Sequence, residues 1–309
     1  MPVISANGIE IAYDERGNRD DPAILLIMGL ATQMIAWPEA FCDRVAARGF
    51  RVIRFDNRDV GLSTKFEAAP PIDLGAILQQ LMAGKKIDPP YDLTDMAGDT
   101  VGLMDRLAIE KAHVVGASMG GMIAQIVAAK YPNRVRSLVS IMSSSGDPSL
   151  PQATPEAMTA IMQARPDGSD RELAIQHGMR IYRAIGSPGF PTPDDELRAK
   201  VGAAFDRSYY PAGVGRQFAA IMASGPRVEM LKKISVPTLV LHGADDPLVP
   251  LAAGRHTAAQ IPGSALTIVP GMGHDIATGL VPILADAITT HCLAADKQFG
   301  QATMTEKSN

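Results

Sequence analysis

Seven short stretches of the 309-residue chain have the hydrophobic pattern of β-strands. Gly8–Glu15 alternates apolar and polar residues, as a strand with one buried face does. Ala23–Met28 is apolar throughout, which is typical of a strand that is covered on both faces. Five further runs are of this second kind: Phe50–Asp56, Lys111–Ala117, Val135–Met142, Pro237–Gly243 and Ala265–Gly271. Together they predict a sheet buried between two other layers.

Helical patterns lie between these strands. Apolar residues recur at helical spacing in Trp37–Gly49, Asp92–Ile109, Met119–Lys130 and Asp275–Ala294. The alternation of strand and helix predicts an α/β fold, with a mostly parallel central sheet and helices on both of its faces.

This alternation stops between two late strands. Residues 146–227 contain several helix-like runs but no convincing strand. We therefore predict a helical cap at 146–227, inserted into a core formed by residues 1–145 and 228–295. The last segment, 296–309, is polar and is expected to be a flexible tail.

Composition narrows the classes of partner. Hydrophobic residues make up 46% of the chain and charged residues 20%, as in a globular protein with a sizeable core. A net charge of −4 and the lack of a long Lys/Arg run argue against nucleic acid or a membrane surface as a partner.

The N-terminus lacks a secretory-signal pattern, and no apolar run approaches the length of a membrane helix, so a cytoplasmic protein is expected. Cys42 and Cys292 cannot form a disulfide scaffold, and no Cys/His cluster has the spacing of zinc ligands.

The most informative motif is Gly116-Ala117-Ser118-Met119-Gly120, which fits G-x-S-x-G. It lies between a predicted buried strand and a predicted helix. A sharp turn there strains the serine backbone and projects its hydroxyl above the carboxyl edge of the sheet. The five letters alone also fit a glycine-rich loop with an incidental serine. The flanking elements favour Ser118 as a nucleophile.

A nucleophilic serine needs a base and an acid that orients the base, and this architecture orders them as serine, acid, histidine. His274 is the predicted base, because it lies between the last strand and the last helix. Asp246 is the preferred acid; Asp245 and Asp147 are alternatives, and ordinary turn chemistry would explain any of the three. The other histidines are predicted to be structural: His113 and His242 on strands, His177 in the cap, and His256 and His291 on helix surfaces.

Two backbone N–H groups must receive the oxyanion. Met119, directly after the serine, supplies one. Leu30, in the turn after Ala23–Met28, is predicted to supply the other, and Gly29 lets the chain bend there. A plain turn at Met28-Gly29-Leu30 is the alternative interpretation.

Five motifs in this order resemble the α/β-hydrolase superfamily: IMGLATQMIAW, DNRDVGLST, VVGASMGGMIAQ, PTLVLHGADDPLVP and GMGHD. Within it they are similar to the capped bacterial esterases that include the aclacinomycin methylesterases. The resemblance implies Ser118 as nucleophile, Asp246 as acid, His274 as base, and Leu30 and Met119 as oxyanion donors.

The chain departs from the superfamily pattern in two motifs. Met28-Gly29 stands where many relatives have His-Gly, and the esterase subgroup shares this difference. Asp59 replaces the first glycine of a D-x-R-G-x-G-x-S element. Arg58 in that element is predicted to be structural rather than catalytic.

The expected reaction is hydrolysis of a small-molecule ester through an acyl-enzyme, without a metal or organic cofactor. Apolar residues of the predicted cap favour a hydrophobic ester, although their helical spacing also fits simple packing. The methionines among them are Met158, Met162, Met179 and Met222, and Met230 lies just after the cap. Lactone hydrolysis, C–C cleavage of a diketone, acyl transfer and perhydrolysis use the same residues, and a low-turnover receptor on this fold is the alternative from another class. Haloalkane dehalogenation and epoxide hydrolysis are disfavoured, because those relatives have an aspartate in place of Ser118.

Overall fold

A computed structural model describes residues 1–70 and 72–306, which form an eight-stranded sheet. The strands are β1 Val3–Ala6, β2 Ile9–Arg16, β3 Ala23–Ile27, β4 Arg51–Phe55, β5 Ala112–Ala117, β6 Val135–Ile141, β7 Thr238–Gly243 and β8 Ala265–Val269. Their order across the sheet is β1-β2-β4-β3-β5-β6-β7-β8. Strands β1 and β2 run antiparallel to their neighbours, whereas β3 to β8 are mutually parallel. The carboxyl ends of β3 to β8 therefore meet at one edge of the sheet.

Helices cover both faces of this sheet. They are α1 Glu39–Ala46, α2 Leu74–Met82, α3 Leu93–Arg106, α4 Met119–Lys130, α5 Pro155–Met162, α6 Arg171–Ile185, α7 Asp194–Arg207, α8 Ala212–Ser224, α9 Val228–Leu231, α10 Leu251–Gln260 and α11 Val281–Glu306. Alternate residues of β3 belong to two separate apolar clusters, one on each face of the sheet. Leu25 and Ile27 pack with α3 and α4, and Ile24 and Leu26 pack with α1 and α11. This two-sided burial explains the uninterrupted apolar run and confirms the predicted fold class.

Several elements were not predicted from the sequence, and the burial of one predicted strand was overstated. Strand β1 is only four residues long and lies at the sheet edge, where Val3 is exposed. Helix α2 also went unpredicted. Strand β8 was expected to be covered on both faces, but only Val269 in it is buried. This difference arises because β8 is the other edge strand and has one neighbour, β7.

Between β6 and β7 the chain forms helices α5 to α9 and, among these residues, no strand. Helices α6 and α7 pack on each other through a small apolar cluster of Ile175, Met179 and Leu197. The range 146–227 accordingly begins in the loop before α5 and ends just before α9.

The C-terminal helix is longer than expected. Helix α11 continues to Glu306, so the segment 296–309 is helical over most of its length, and its last three residues lie outside the described part. By length and composition alone, Thr278–Phe299 is apolar enough to cross a membrane, although no run had been expected to reach that length. Its apolar face is buried against β6 and α1 through Leu284, Ile288 and Cys292. In this structure it is a core helix.

Candidate active site

Ser118 occupies the turn between β5 and α4. Its backbone angles are φ 56° and ψ −121°, a combination that residues with a side chain rarely adopt. The turn is tight, because a Cβ at Gly116 would overlap the carbonyl oxygen of Gly120, and one at Gly120 would overlap that of Ile27. These contacts explain why glycine stands on both sides of the serine.

The His274 ring lies between Ser118 and Asp246. Its Nε2 is 2.9 Å from Ser118 Oγ, and its Nδ1 is 2.8 Å from Asp246 Oδ2. The three side chains follow β5, β7 and β8, whose carboxyl ends share one sheet edge. His274 is 7% exposed and Asp246 is 6% exposed, so little water competes for the bond between them. The structure thus brings together the three side chains that the sequence singled out.

Asp246 is held by its own loop. Its Oδ1 accepts the backbone N–H groups of Leu248 and Val249 at 2.9 and 2.8 Å, which leaves Oδ2 for His274. A carboxylate facing Nδ1 keeps the proton on that nitrogen, so Nε2 is free to accept from the serine hydroxyl.

A second imidazole, His242, stands 3.6 Å from the same Asp246 oxygen. Burial lowers the pKa of His242, which keeps its ring neutral. Its Nε2 donates to the carbonyl of Val249 at 2.7 Å. His242 therefore supports the loop that carries Asp246, in line with its predicted structural role.

The alternative acids have other partners. Asp245 is exposed, and its Oδ2 accepts the backbone N–H of Gly271 at 2.8 Å. Asp147 accepts from the backbone and hydroxyl of Ser149, as a turn aspartate does. Neither is hydrogen-bonded to His274 in the described part of the chain.

Met119 and the turn that carries Leu30 lie beside Ser118. Met119 begins α4, so its N–H has no partner within the helix. Gly29 packs against the serine, since a Cβ there would lie 3.0 Å from Ser118 Cβ. Over residues 1–70 and 72–306, neither Leu30 N–H nor Met119 N–H donates a hydrogen bond.

The remaining histidines have structural surroundings. His113 Nδ1 pairs with Ser137 Oγ at 2.8 Å, and His177 is buried on α6. His256 and His291 are half-buried rather than on the surface, because each ring packs under a neighbouring loop or strand. His256 pairs with Ser145, and His291 lies 3.3 Å from the Pro237 carbonyl.

Arg58 is also structural, since it forms a two-point ion pair with Asp99 at 2.6 and 2.7 Å.

Sequence reasoning missed the residues that hold the His274 loop. The backbone N–H of His274 donates to the carbonyl of Ile185 at 2.7 Å, and Gly273 N–H donates to Ser187 Oγ at 2.9 Å. Ser187 in turn donates to Asp275, whose pKa is raised by burial. Ile185 ends α6 and Ser187 follows it, and no local pattern in that segment indicates these contacts.

A parallel sheet with this strand order and a strained serine between strand and helix define an α/β protein of the hydrolase class. The chain belongs to the α/β hydrolase fold family, whose model matches residues 22–277.

Curated relatives carry esterase names. The chain is 29% identical over 318 aligned residues to a rhodomycin D methylesterase of Streptomyces sp. (strain C5), covering 95% of this chain and 98% of the relative. It is 26% identical to a bifunctional esterase/perhydrolase of Acinetobacter calcoaceticus, covering 89% and 93%. Family and relatives together make this protein a carboxylic ester hydrolase.

Solved structures share the fold. A meta-cleavage product hydrolase from Pseudomonas fluorescens IP01 has a TM-score of 0.74 at 20% identity, covering 96% of this chain and 98% of that one. An enol-lactonase from Burkholderia xenovorans LB400 has a TM-score of 0.67 at 22% identity, covering 96% and 100%. At these identities the likeness concerns the fold alone.

Proposed function

We propose that the protein is a serine esterase in which Ser118 is the nucleophile, His274 the general base and Asp246 the orienting acid. The observation that supports this most strongly is the continuous hydrogen-bonded path from Asp246 through His274 to Ser118, with links of 2.8 and 2.9 Å. Distances of this size are within reach for proton transfer. The sharp turn beneath Ser118 supports its hydroxyl in the position where it meets His274 Nε2.

The reaction begins when His274 Nε2 takes the Ser118 proton as Oγ attacks the ester carbonyl. Asp246 holds the imidazole in the required tautomer and stabilises the imidazolium that forms. The N–H groups of Leu30 and Met119 receive the tetrahedral oxyanion, and each contributes about 3 kcal/mol in comparable sites. His274 then protonates the departing alcohol, and a water activated by the same ring releases the acid.

We further propose that residues 146–227 form a cap that selects a hydrophobic ester. Of the cap methionines, Met179 packs between α6 and α7, whereas Met158, Met162 and Met222 are half-buried and have side-chain surface left for a ligand. Methionine adapts to irregular apolar ligands. A panel of p-nitrophenyl esters with acyl chains of increasing length tests this, since kcat/KM should rise from acetate to medium-chain esters. A preference for charged acyl groups would contradict it.

Ser118→Ala is the direct test of the nucleophile. We expect the p-nitrophenyl ester rate to fall by at least about 10⁴-fold, because no other group replaces the attacking oxygen. The thermal midpoint should stay close to that of the wild type, since only one half-buried atom is lost. Ser169→Ala, at an exposed turn, is the matched control and should retain full activity. A near-wild-type rate in Ser118→Ala would remove the proposal.

Assays with different substrates distinguish ester hydrolysis from the other reactions that use the same three residues. Lactones, diketones, alcohol acceptors and peroxide can each be offered to the enzyme, and the ester should give the highest kcat/KM. The relative named as a methylesterase supports this ranking, because it aligns along nearly the whole chain. A low-turnover receptor would show a single slow release per molecule instead of multiple turnovers.

A further inference from the structure

The loop that carries Leu30 is bound from outside the sheet by helix α8. Gln217 on α8 is fully buried, and both ends of its side-chain amide are used. Its Oε1 accepts the backbone N–H of Ala31 at 2.8 Å, and its Nε2 donates to the carbonyl of Arg58 at 2.7 Å. Gln217 thereby joins the loop after β3 to the loop after β4.

The bond to Ala31 is made at a strained point of the loop. Ala31 has φ 59°, in the left-handed region that a residue with a Cβ adopts only at a cost. The Ala31 N–H shares its peptide plane with the Leu30 carbonyl. Fixing that plane restricts rotation at Leu30, whose own N–H is the proposed oxyanion donor.

Helix α8 is itself fixed to the core next to Gln217. Arg216 makes a two-point ion pair with Asp59 at 2.8 and 2.9 Å, and Tyr91 donates to the same carboxylate at 2.7 Å. Both members of the ion pair are buried. A Cβ at Gly213 would overlap the carbonyl oxygen of Asp59, so the helix backbone also approaches this loop closely.

Asp59 is the residue that replaces a glycine of the superfamily element in the sequence. Its pairing with Arg216 gives that departure a physical role, because it places a carboxylate where α8 can dock. The docked helix presents Gln217 to Ala31. The replacement of glycine by Asp59 therefore supports the Gln217–Ala31 hydrogen bond indirectly, by fixing α8.

A second contact holds the far end of the same loop. Gln33 Nε2 donates to the carbonyls of Ala204 and Ser208 at 2.6 and 2.7 Å, and its Oε1 accepts from Arg207 at 2.6 Å. These partners lie at the end of α7. The loop therefore takes its shape from two helices of the 146–227 segment rather than from the sheet alone.

We propose that Gln217 is a positioning residue for the oxyanion hole, so that the Leu30 donor is correctly aimed only while α8 is docked on the core. The inference rests on the proposed function and adds a dependence of turnover on the helical segment. Among the described residues Gln217 forms no hydrogen bond with Ser118 or His274, so its effect passes through the loop.

Gln217→Met tests this by keeping the side-chain length while removing the acceptor and the donor. We expect kcat to fall roughly ten- to hundred-fold, less than or comparable to the loss of one oxyanion donor, with KM changed by no more than about two-fold. A trifluoromethyl ketone forms a tetrahedral adduct on the serine. Its inhibition constant should rise by the same factor by which kcat/KM falls. Gln176→Met, at an exposed glutamine of α6, is the control and should match the wild type.

Gln217→Glu is the second variant, because it retains an acceptor for Ala31 while losing the donor to Arg58. It should recover part of the rate lost in Gln217→Met. A Gln217→Met enzyme with a kcat within two-fold of the wild type would overturn the inference, and so would a rate loss without weaker inhibition by the ketone. If Gln217→Met does not fold, Gln217→Leu replaces it, because leucine also lacks the acceptor for Ala31; unchanged kcat and unchanged inhibition in Gln217→Leu overturn the inference equally. Failure of the proposed function is distinct, since the wild type would then not turn over esters through Ser118.

Discussion

Ser118 shows how much of the site depends on single backbone positions. Its positive φ costs on the order of 1–3 kcal/mol, and the surrounding contacts must offset that strain. Its N–H donates to the Ile141 carbonyl at 2.9 Å, and its own carbonyl accepts from Ser143 Oγ at 2.8 Å. Both partners lie at the carboxyl end of β6, so the serine backbone is fixed from this neighbouring strand and the hydroxyl keeps one direction.

Gly120→Ala tests the tightness of this turn. The added methyl would meet the Ile27 carbonyl, so we expect a loss of about 1–3 kcal/mol in the free energy of unfolding and a lower kcat. Urea denaturation measures the first quantity. Gly202→Ala on α7 is the matched control: its neighbours are the ends of flexible side chains at 3.2 Å or more, and alanine favours the helix. Equal stability changes in the two variants would show that the serine turn is not close-packed.

Asp246→Asn separates the preferred acid from its neighbours. The amide presents the wrong hydrogen-bonding pattern to His274 Nδ1, so kcat should fall roughly 10³- to 10⁴-fold while the loop contacts to Leu248 and Val249 persist. In Asp245→Asn the side-chain oxygen still accepts from Gly271, and activity should stay within about two-fold. Steady-state kinetics of both variants decide the assignment. The reverse ranking would move the role to Asp245.

At the scale of elements, helix α6 contributes a pH-dependent term to stability. Burial, followed by the charges of Arg165 and Arg180, lowers the pKa of His177 on this helix to about 4. In the unfolded chain the ring has a pKa of about 6.5. Between these values the unfolded state binds a proton that the folded state does not, so stability is lost as the pH falls from about 6.5 to 4.

The difference between wild type and His177→Leu isolates that contribution. Between pH 8 and pH 5 the wild type should lose about 2 kcal/mol more of its free energy of unfolding than the variant. Other buried histidines, such as His242, cancel in the comparison because both proteins contain them. Urea titrations at the two pH values give the numbers. Parallel losses would mean that the ring is protonated equally in both states.

Local patterns predicted most elements because they record burial directly. Helix α4 begins and ends at the predicted residues, since the sharp turn at Ser118 precedes it and Pro132 follows its C-cap residue Tyr131. Strand β1 and helix α2 escaped prediction, and the last helix extends through polar residues to Glu306. In that final segment, continuation of an existing helix outweighs the weak apolar pattern.

At the scale of the whole molecule, the site forms because parallel strands gather distant loops at one edge. Sequence order placed Ser118, Asp246 and His274 at this edge, since the position after a strand fixes the edge where a residue lies, but it placed the alternative acids Asp245 and Asp147 there equally. The contacts that the 146–227 segment makes with the loops of the site could not be predicted from the sequence. Thr154 N–H bonds the Pro247 carbonyl beside Asp246, just as Ile185 holds the His274 loop. Such contacts depend on how helices dock, which no local pattern encodes.

The central claim is that His274 activates Ser118 for attack, and active-site labelling measures this most directly. A fluorophosphonate should modify one residue per chain, mapped by peptide mass spectrometry to the segment that contains Ser118. The rate of labelling should fall by several orders of magnitude in His274→Ala, and labelling should be absent in Ser118→Ala. Labelling at another residue, or full-rate labelling of Ser118 without His274, would contradict the account.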